Sequence, residues 1–236
     1  MRPGPAVAVA AVLVLSGCTG QKAHAPSLVT ATPSVAAQKM TPGNEAVLYL
    51  GIVDKLVKSR RYGAALAFLD SYAVAQKDRE PRYWLLRGNA LLGLGRGEEA
   101  GQAFDYLLGT GLTGEGWNGK GRMAAAQAHW SMAAANFGKA VASEPANPDF
   151  LNNLAFASLH LGQKAQSLVY LRQARELDPG SDLIRNNLLI ALMLNGDQRR
   201  AETVLAGIPT DAERVRVRAL VKAAISRGGW NGGNKL

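Results

Sequence analysis

Leu151-Asn152-Asn153-Leu154-Ala155-Phe156-Ala157-Ser158-Leu159-His160-Leu161-Gly162 returns 34 residues later as Arg185-Asn186-Asn187-Leu188-Leu189-Ile190-Ala191-Leu192-Met193-Leu194-Asn195-Gly196. Working outward, the same register continues upstream. Trp117, Gly121, Ala124, Ala128, Ala133 and Phe137 stand one period before Leu151, Ala155, Ser158, Gly162, Ser167 and Leu171. Trp84, Gly88, Leu91, Gly95, Ala100 and Phe104 stand 33 residues earlier still, and Tyr49, Val53, Leu56, Ala65 and Leu69 form a weaker copy with a one-residue offset. Pro145 and Pro179 also lie one period apart. Self-similarity at 30–35 residues marks a repeat architecture, in which a unit cannot bury its apolar face alone and a stack of units can.

Within a unit, large, small and aromatic positions alternate at helical spacing. The pattern predicts two antiparallel helices that cross closely, with Gly88, Gly121 and Ala155 opposite Ala100, Ala133 and Ser167. Trp84, Phe104, Trp117, Phe137 and the leucines fill the space beside the crossing. Gly95-Arg96-Gly97, His160-Leu161-Gly162 and Asn195-Gly196-Asp197 are turn signals. Asn147-Pro148 and Ser181-Asp182 read as an N-cap followed by a first helical turn. This combination resembles the tetratricopeptide repeat (TPR), with units at 46–79, 81–113, 114–147, 148–181 and 182–215. The resemblance implies an all-α fold, a TPR superhelix of about five helix-turn-helix repeats. Thr210-Asp211-Ala212-Glu213 is a capping-box pattern that starts a C-terminal capping helix reaching about Ser226.

The N-terminus reads as an address. Arg2 precedes an apolar run from Ala6 to Leu15, about ten residues against roughly 20 needed to span a bilayer, so it fits the h-region of a signal peptide. Leu15-Ser16-Gly17-Cys18 resembles the lipobox of bacterial lipoproteins. That resemblance implies cleavage after residue 17, a covalent lipid on Cys18, and, with Thr19 rather than Asp next, an outer-membrane destination facing the periplasm. Several acyl chains hold a membrane far more firmly than one. The expected organisation is a signal peptide at 1–17, a lipidated N-terminus and flexible tether at 18–44, a TPR array with capping helix at 45–227, and a disordered tail at 228–236. The tether, rich in Ala, Thr, Ser and Pro, has an r.m.s. reach of roughly 25–30 Å as coil.

Composition narrows the function. The formal charge is +9, about +8 once Arg2 leaves with the signal segment, which favours acidic partners or anionic headgroups. Lys and Arg are spread along the chain, so nucleic acid is not expected. Cys18 is the single cysteine, which excludes an intramolecular disulfide and, once lipidated, a thiol nucleophile. His24, His129 and His160 lie in unrelated contexts without metal-ligand spacing. Gly114-Glu115-Gly116-Trp117-Asn118-Gly119-Lys120-Gly121 imitates a phosphate-binding loop but ends in Gly where Ser or Thr should hold magnesium. No strand precedes it. An enzyme, a cofactor other than the covalent lipid, a metal or a small-molecule substrate is therefore not expected.

The repeat register instead directs Asn118, Asn152, Asn153, Phe156, Asn186, Asn187, Ile190 and Met193 to a concave partner-binding face built from the first helix of each unit. Arg82 and Arg122 add positive charge to it. An Asn amide both donates and accepts, so it can hold an extended backbone whatever its side chains. Asparagine at these positions can equally cap or pack. Lipobox, tether and repeats together resemble TadD, the lipoprotein of tight-adherence (Flp-type) pilus systems. The resemblance rests on Leu151-Asn152-Asn153-Leu154-Ala155-Phe156, on Asp182-Leu183-Ile184-Arg185-Asn186-Asn187-Leu188-Leu189 with Asn195-Gly196-Asp197 and Ala201-Glu202, and on the Ile208-Pro209 break. It implies a pilotin-like role in which the groove holds a secretin or another pilus-assembly component. A general periplasmic adaptor for peptidoglycan or other envelope enzymes shares every repeat feature and is the alternative.

Overall fold

The computed structural model describes residues 42–76 and 79–227. Cys18, the signal segment, most of the tether and the tail after Arg227 lie outside the described residues. Among those described, eleven helices and no strands occur: α1 (Pro42–Lys58), α2 (Tyr62–Ala75), α3 (Pro81–Gly93), α4 (Gly97–Asp105), α5 (Thr113–Ala126), α6 (Trp130–Ser143), α7 (Pro148–His160), α8 (Lys164–Leu177), α9 (Asp182–Leu194), α10 (Gln198–Ala206) and α11 (Asp211–Arg227). They form five helix pairs and a final single helix. This is the all-α TPR superhelix that the period predicts. Helix α1 opens at Pro42, within the stretch that composition assigns to the tether.

Local chemistry sets the boundaries. Proline occupies the first turn of α3 and α7, where no backbone N–H is needed. The Asn147 side chain accepts from the amides of Asp149 and Phe150, and Ser181 Oγ accepts from Ile184 N. Thr210 Oγ1 accepts from Glu213 N at 3.2 Å. The reciprocal half of that capping box is absent, because the Glu213 carboxylate lies 3.7 Å from Arg185 on α9. The fifth unit closes at Ala206 and α11 already opens at Asp211. It is shorter than the 182–215 span that strict periodicity predicts, because Ile208 buries itself and Pro209 has no N–H with which to continue a helix.

Small residues admit aromatic rings. A Cβ on Gly88 would lie 2.6 Å from Phe104 Cε1, and one on Gly121 would lie 2.5 Å from Phe137. Gly119 of α5 also lies against Phe104, at the same Cδ1 and Cε1 atoms, so the fully buried ring is approached by glycines of two successive units. The expected crossing is thus refined: at Gly88 and Gly121 the nearest neighbour is the phenylalanine of the second helix. Ala100, Ala133 and Ser167 are themselves fully buried.

The contact order defines the inner layer. Each first helix touches the next: α1 with α3, α3 with α5, α5 with α7, α7 with α9, and α9 with α11. Among the described residues, no comparable contact joins α2 with α4, α4 with α6, α6 with α8 or α8 with α10. Helices packed on one layer and splayed on the other bend the stack, with the first helices on the inside. Helix α11 takes the place of a sixth first helix and buries Val217 and Val221 against the last unit. No described helix is long and apolar enough to cross a membrane.

Candidate protein-binding groove

The inner layer carries a bonded asparagine series. Asn153 Nδ2 donates to Asn118 Oδ1 at 2.9 Å, joining α7 to α5, and Asn187 Nδ2 donates to Asn152 Oδ1 at 2.8 Å, joining α9 to α7. A similar bond links Arg122 to Asn89 Oδ1 at 2.7 Å, joining α5 to α3. Asn118, Asn152 and Asn187 are buried, while Asn153 and Asn186 are half-buried. The series therefore ties successive first helices together along the inner layer. Asn186 ends it: its Oδ1 is buried without a hydrogen-bond partner.

The other residues expected on this face divide in the same way. Ile190 is buried among Leu188, Leu189 and their neighbours, and Met193 packs half-buried against that cluster. Phe156 is half-buried and meets Trp130 edge-on at 5.9 Å and His160 at 4.8 Å. Trp130 and His160 stack face to face at 3.6 Å. His160 is thus part of an aromatic cluster rather than a surface residue, and burial pushes its pKa down.

Charge enters the inner layer at α5. Burial pushes the Glu115 carboxyl above its ordinary pKa, and the charges of Glu144 and Asp149 push it the same way. Arg122 and a hydrogen bond with Asn118 act against them. Desolvation lowers the Arg122 pKa, opposed by Glu115 and Tyr62. Arg122 nevertheless keeps more than a third of its surface open. Arg82 is half-buried near the start of α3.

Sequence reading missed Asn89 and Glu115. Both were within reach of the register, since Asn89 lies one repeat before Arg122, and Glu115 one repeat before Asp149. The segment resembling a phosphate-binding loop is helical throughout, within α5. Its glycines are taken up by packing, with Gly114 beside Glu144 and Phe150, Gly116 beside Leu107, and Gly119 beside Phe104. Among the described residues no group of three His, Cys, Asp or Glu is placed to hold a metal ion.

Comparison with known proteins bears on this geometry. Residues 37–114 and 118–182 match the family described as tetratricopeptide repeat. The TPR repeat-containing protein PA4299 of Pseudomonas aeruginosa is 30% identical over 175 residues, which are 74% of this chain and 69% of that protein. Among solved structures, pilF of Pseudomonas aeruginosa has a TM-score of 0.59 at 12% identity, covering 76% of this chain and 83% of its own. TTC0263, a thermophilic TPR protein of Thermus thermophilus, has a TM-score of 0.58 at 18% identity, covering 75% and 97%. MamA of Desulfovibrio magneticus RS-1 gives 0.52 at 20% identity, covering 78% and 98%. At these identities the structures share a fold with this chain, and nothing more is read from them.

Proposed function

Because this chain belongs to the tetratricopeptide-repeat family, we propose that it is a lipid-anchored outer-membrane protein whose groove holds an extended segment of another protein, assisting assembly or localisation of a tight-adherence pilus apparatus. It works as a scaffold for protein–protein interaction and not as an enzyme. The observation that carries the binding role is the groove floor itself. The half-buried Asn153 and Asn186 on successive first helices lie on it, with Arg122, Glu115 and the half-buried apolar surfaces of Phe156 and Met193. Amides offer donors and acceptors to a peptide main chain, and the apolar flanks shelter those bonds from water. The lipobox-like Leu15-Ser16-Gly17-Cys18 supports the anchor, and the tracts around Asn152-Asn153 and Asn186-Asn187 support the pilus assignment through their likeness to TadD.

The test is affinity capture of the tagged, full-length protein from its own envelope in mild detergent, with partners identified by mass spectrometry. Cys18→Ser and Arg122→Glu serve as controls. Enrichment of a secretin or pilus-assembly protein, lost in Arg122→Glu, is the expected result, and Cys18→Ser should lose the outer-membrane fraction. Enrichment of cell-wall hydrolases without pilus components would replace the pilus role with that of a general envelope adaptor. Capture unaffected by Arg122→Glu would move the binding site out of the groove.

A further inference from the structure

Repeat arrays end in units whose outer faces are polar, because no further repeat covers them. Helix α1, at the N-terminal end of the described array, departs from this. Glu45, Leu48, Ile52 and Lys55 fall at i, i+3, i+7 and i+10, on one narrow stripe of the helix. The stripe points away from the core, which α1 reaches through Leu50 and Val53, both fully buried. Leu48 is 57% exposed and Ile52 is 43% exposed. Gly51 lies beside them, with nothing within 4 Å of where its Cβ would be. An uncovered pair of large aliphatic side chains flanked by a glycine offers an apolar strip that another helix can approach closely.

The order of residues on the stripe indicates what covers it. Laid antiparallel against a copy of itself, with the two-fold axis midway between Leu48 and Ile52, the stripe places Leu48 on the copy's Ile52. The same operation places Glu45 on the copy's Lys55, and each contact occurs twice. Neither Glu45 nor Lys55 has an ion-pair partner among the described residues, whereas the neighbouring Lys58 is already held by Asp54 at 2.7 Å. The pattern is therefore self-complementary in both shape and charge. The opposite end of the array is a poorer match: α11 carries five Arg or Lys against two acids, and the α1 stripe has one charge of each sign and nothing to favour it. A head-to-tail contact would also propagate without closing, whereas a two-fold contact closes at two chains.

We propose that α1 is a homotypic docking surface, through which a second copy of this chain packs its own α1 antiparallel across Leu48 and Ile52. Three helical turns make a contact smaller than a standard-size interface. The dimer is accordingly weak, with a Kd on the order of micromolar or above, and forms best where chains are concentrated on a surface.

The experiment is sedimentation equilibrium of the full-length chain carrying Cys18→Ser, which removes its single cysteine. A reversible monomer–dimer equilibrium is expected. Glu45→Lys alone and Lys55→Glu alone each weaken it about tenfold or more, through two like-charge contacts per dimer. The double variant Glu45→Lys/Lys55→Glu restores it, because the reversed charges again face their opposites. In the same background, a mixture of Leu48→Cys and Ile52→Cys chains cross-links with a short bismaleimide more than either chain does alone. Circular dichroism confirms that each variant keeps its helices. A chain that stays monomeric at the highest attainable concentration would overturn the proposal, as would a dimer that the single reversals do not weaken or the double reversal does not rescue.

Discussion

Asn187 donates its side-chain amide to Asn152 Oδ1 at 2.8 Å, and both residues are buried at the seam between α7 and α9. The bond spans 35 residues, one more than the repeat, and so does the bond from Asn153 to Asn118. Each asparagine pair therefore uses its second member to reach the asparagine that stands at the first member's position one unit earlier. The series stops at Asn186. Five residues into α11, where α7 has Asn153 and α9 has Asn187, the chain has Arg216, and Asn186 Oδ1 is left without a partner.

Two adjacent asparagines should then behave oppositely. Asn187→Ala leaves the Asn152 acceptor buried and unpaired and should destabilise the fold by about 1–3 kcal/mol. Asn186→Ala removes an acceptor that has no partner and should be neutral or slightly stabilising. Urea unfolding followed by circular dichroism measures both. Equal losses would mean that the bonded series does not hold the units together.

The turns within repeats predict a stabilising change. Gly95, Gly162 and Gly196 adopt φ of 74–76°, and Ala128 and Arg60 occupy the corresponding turns at φ 58°. A left-handed backbone costs a residue with a Cβ about 1–2 kcal/mol, partly offset by the greater unfolded freedom of glycine. Ala128→Gly should raise stability by up to about 1 kcal/mol. An unchanged or lower urea midpoint would contradict this.

Two helical glycines should differ sharply. Gly88→Ala drives a Cβ to 2.6 Å from the Phe104 ring. Phe104 is fully buried and Gly119 already crowds the same ring atoms, so about 1–3 kcal/mol should be lost to overpacking. Gly63, in α2, has open space around it, so Gly63→Ala should gain about 0.5–1 kcal/mol through helix propensity. Thermal unfolding of the two single variants checks the contrast.

Glu115 predicts a pH dependence. Its folded pKa is raised, chiefly by burial and then by Glu144 and Asp149, even with the attraction of Arg122 included. The folded state then holds this proton more tightly than the unfolded chain. Stability from this group is greatest below the unfolded carboxyl pKa and falls as pH rises through the window up to the raised folded value. Glu115→Gln should be more stable than the wild type at pH 7, and the difference should vanish in acid. Parallel stability–pH curves for the two proteins would rule out a raised Glu115 pKa.

Much of the fold was legible in the sequence because repetition imposes it. Every unit must bury the same faces against its neighbours, so the period, the small residues, the turn glycines and the caps at Asn147 and Ser181 recur where any unit needs them. The all-helical class and the helix pairs follow from that, and the resemblance to the tetratricopeptide repeat supplied the expectation that the first helices lie inside. The groove was legible only as a list of positions. Periodicity reports what is equivalent between units and is silent on what touches between them, and contact between neighbouring helices depends on how far one is offset along the next. That offset, one residue beyond the repeat, pairs Asn187 with Asn152 and Asn153 with Asn118, and packing buries Asn118 and Ile190 while Asn153 and Asn186 stay half-buried. Packing across units also set Phe104 against both Gly88 and Gly119, and Leu48 and Ile52 stay exposed on α1, which has no described unit in front of it.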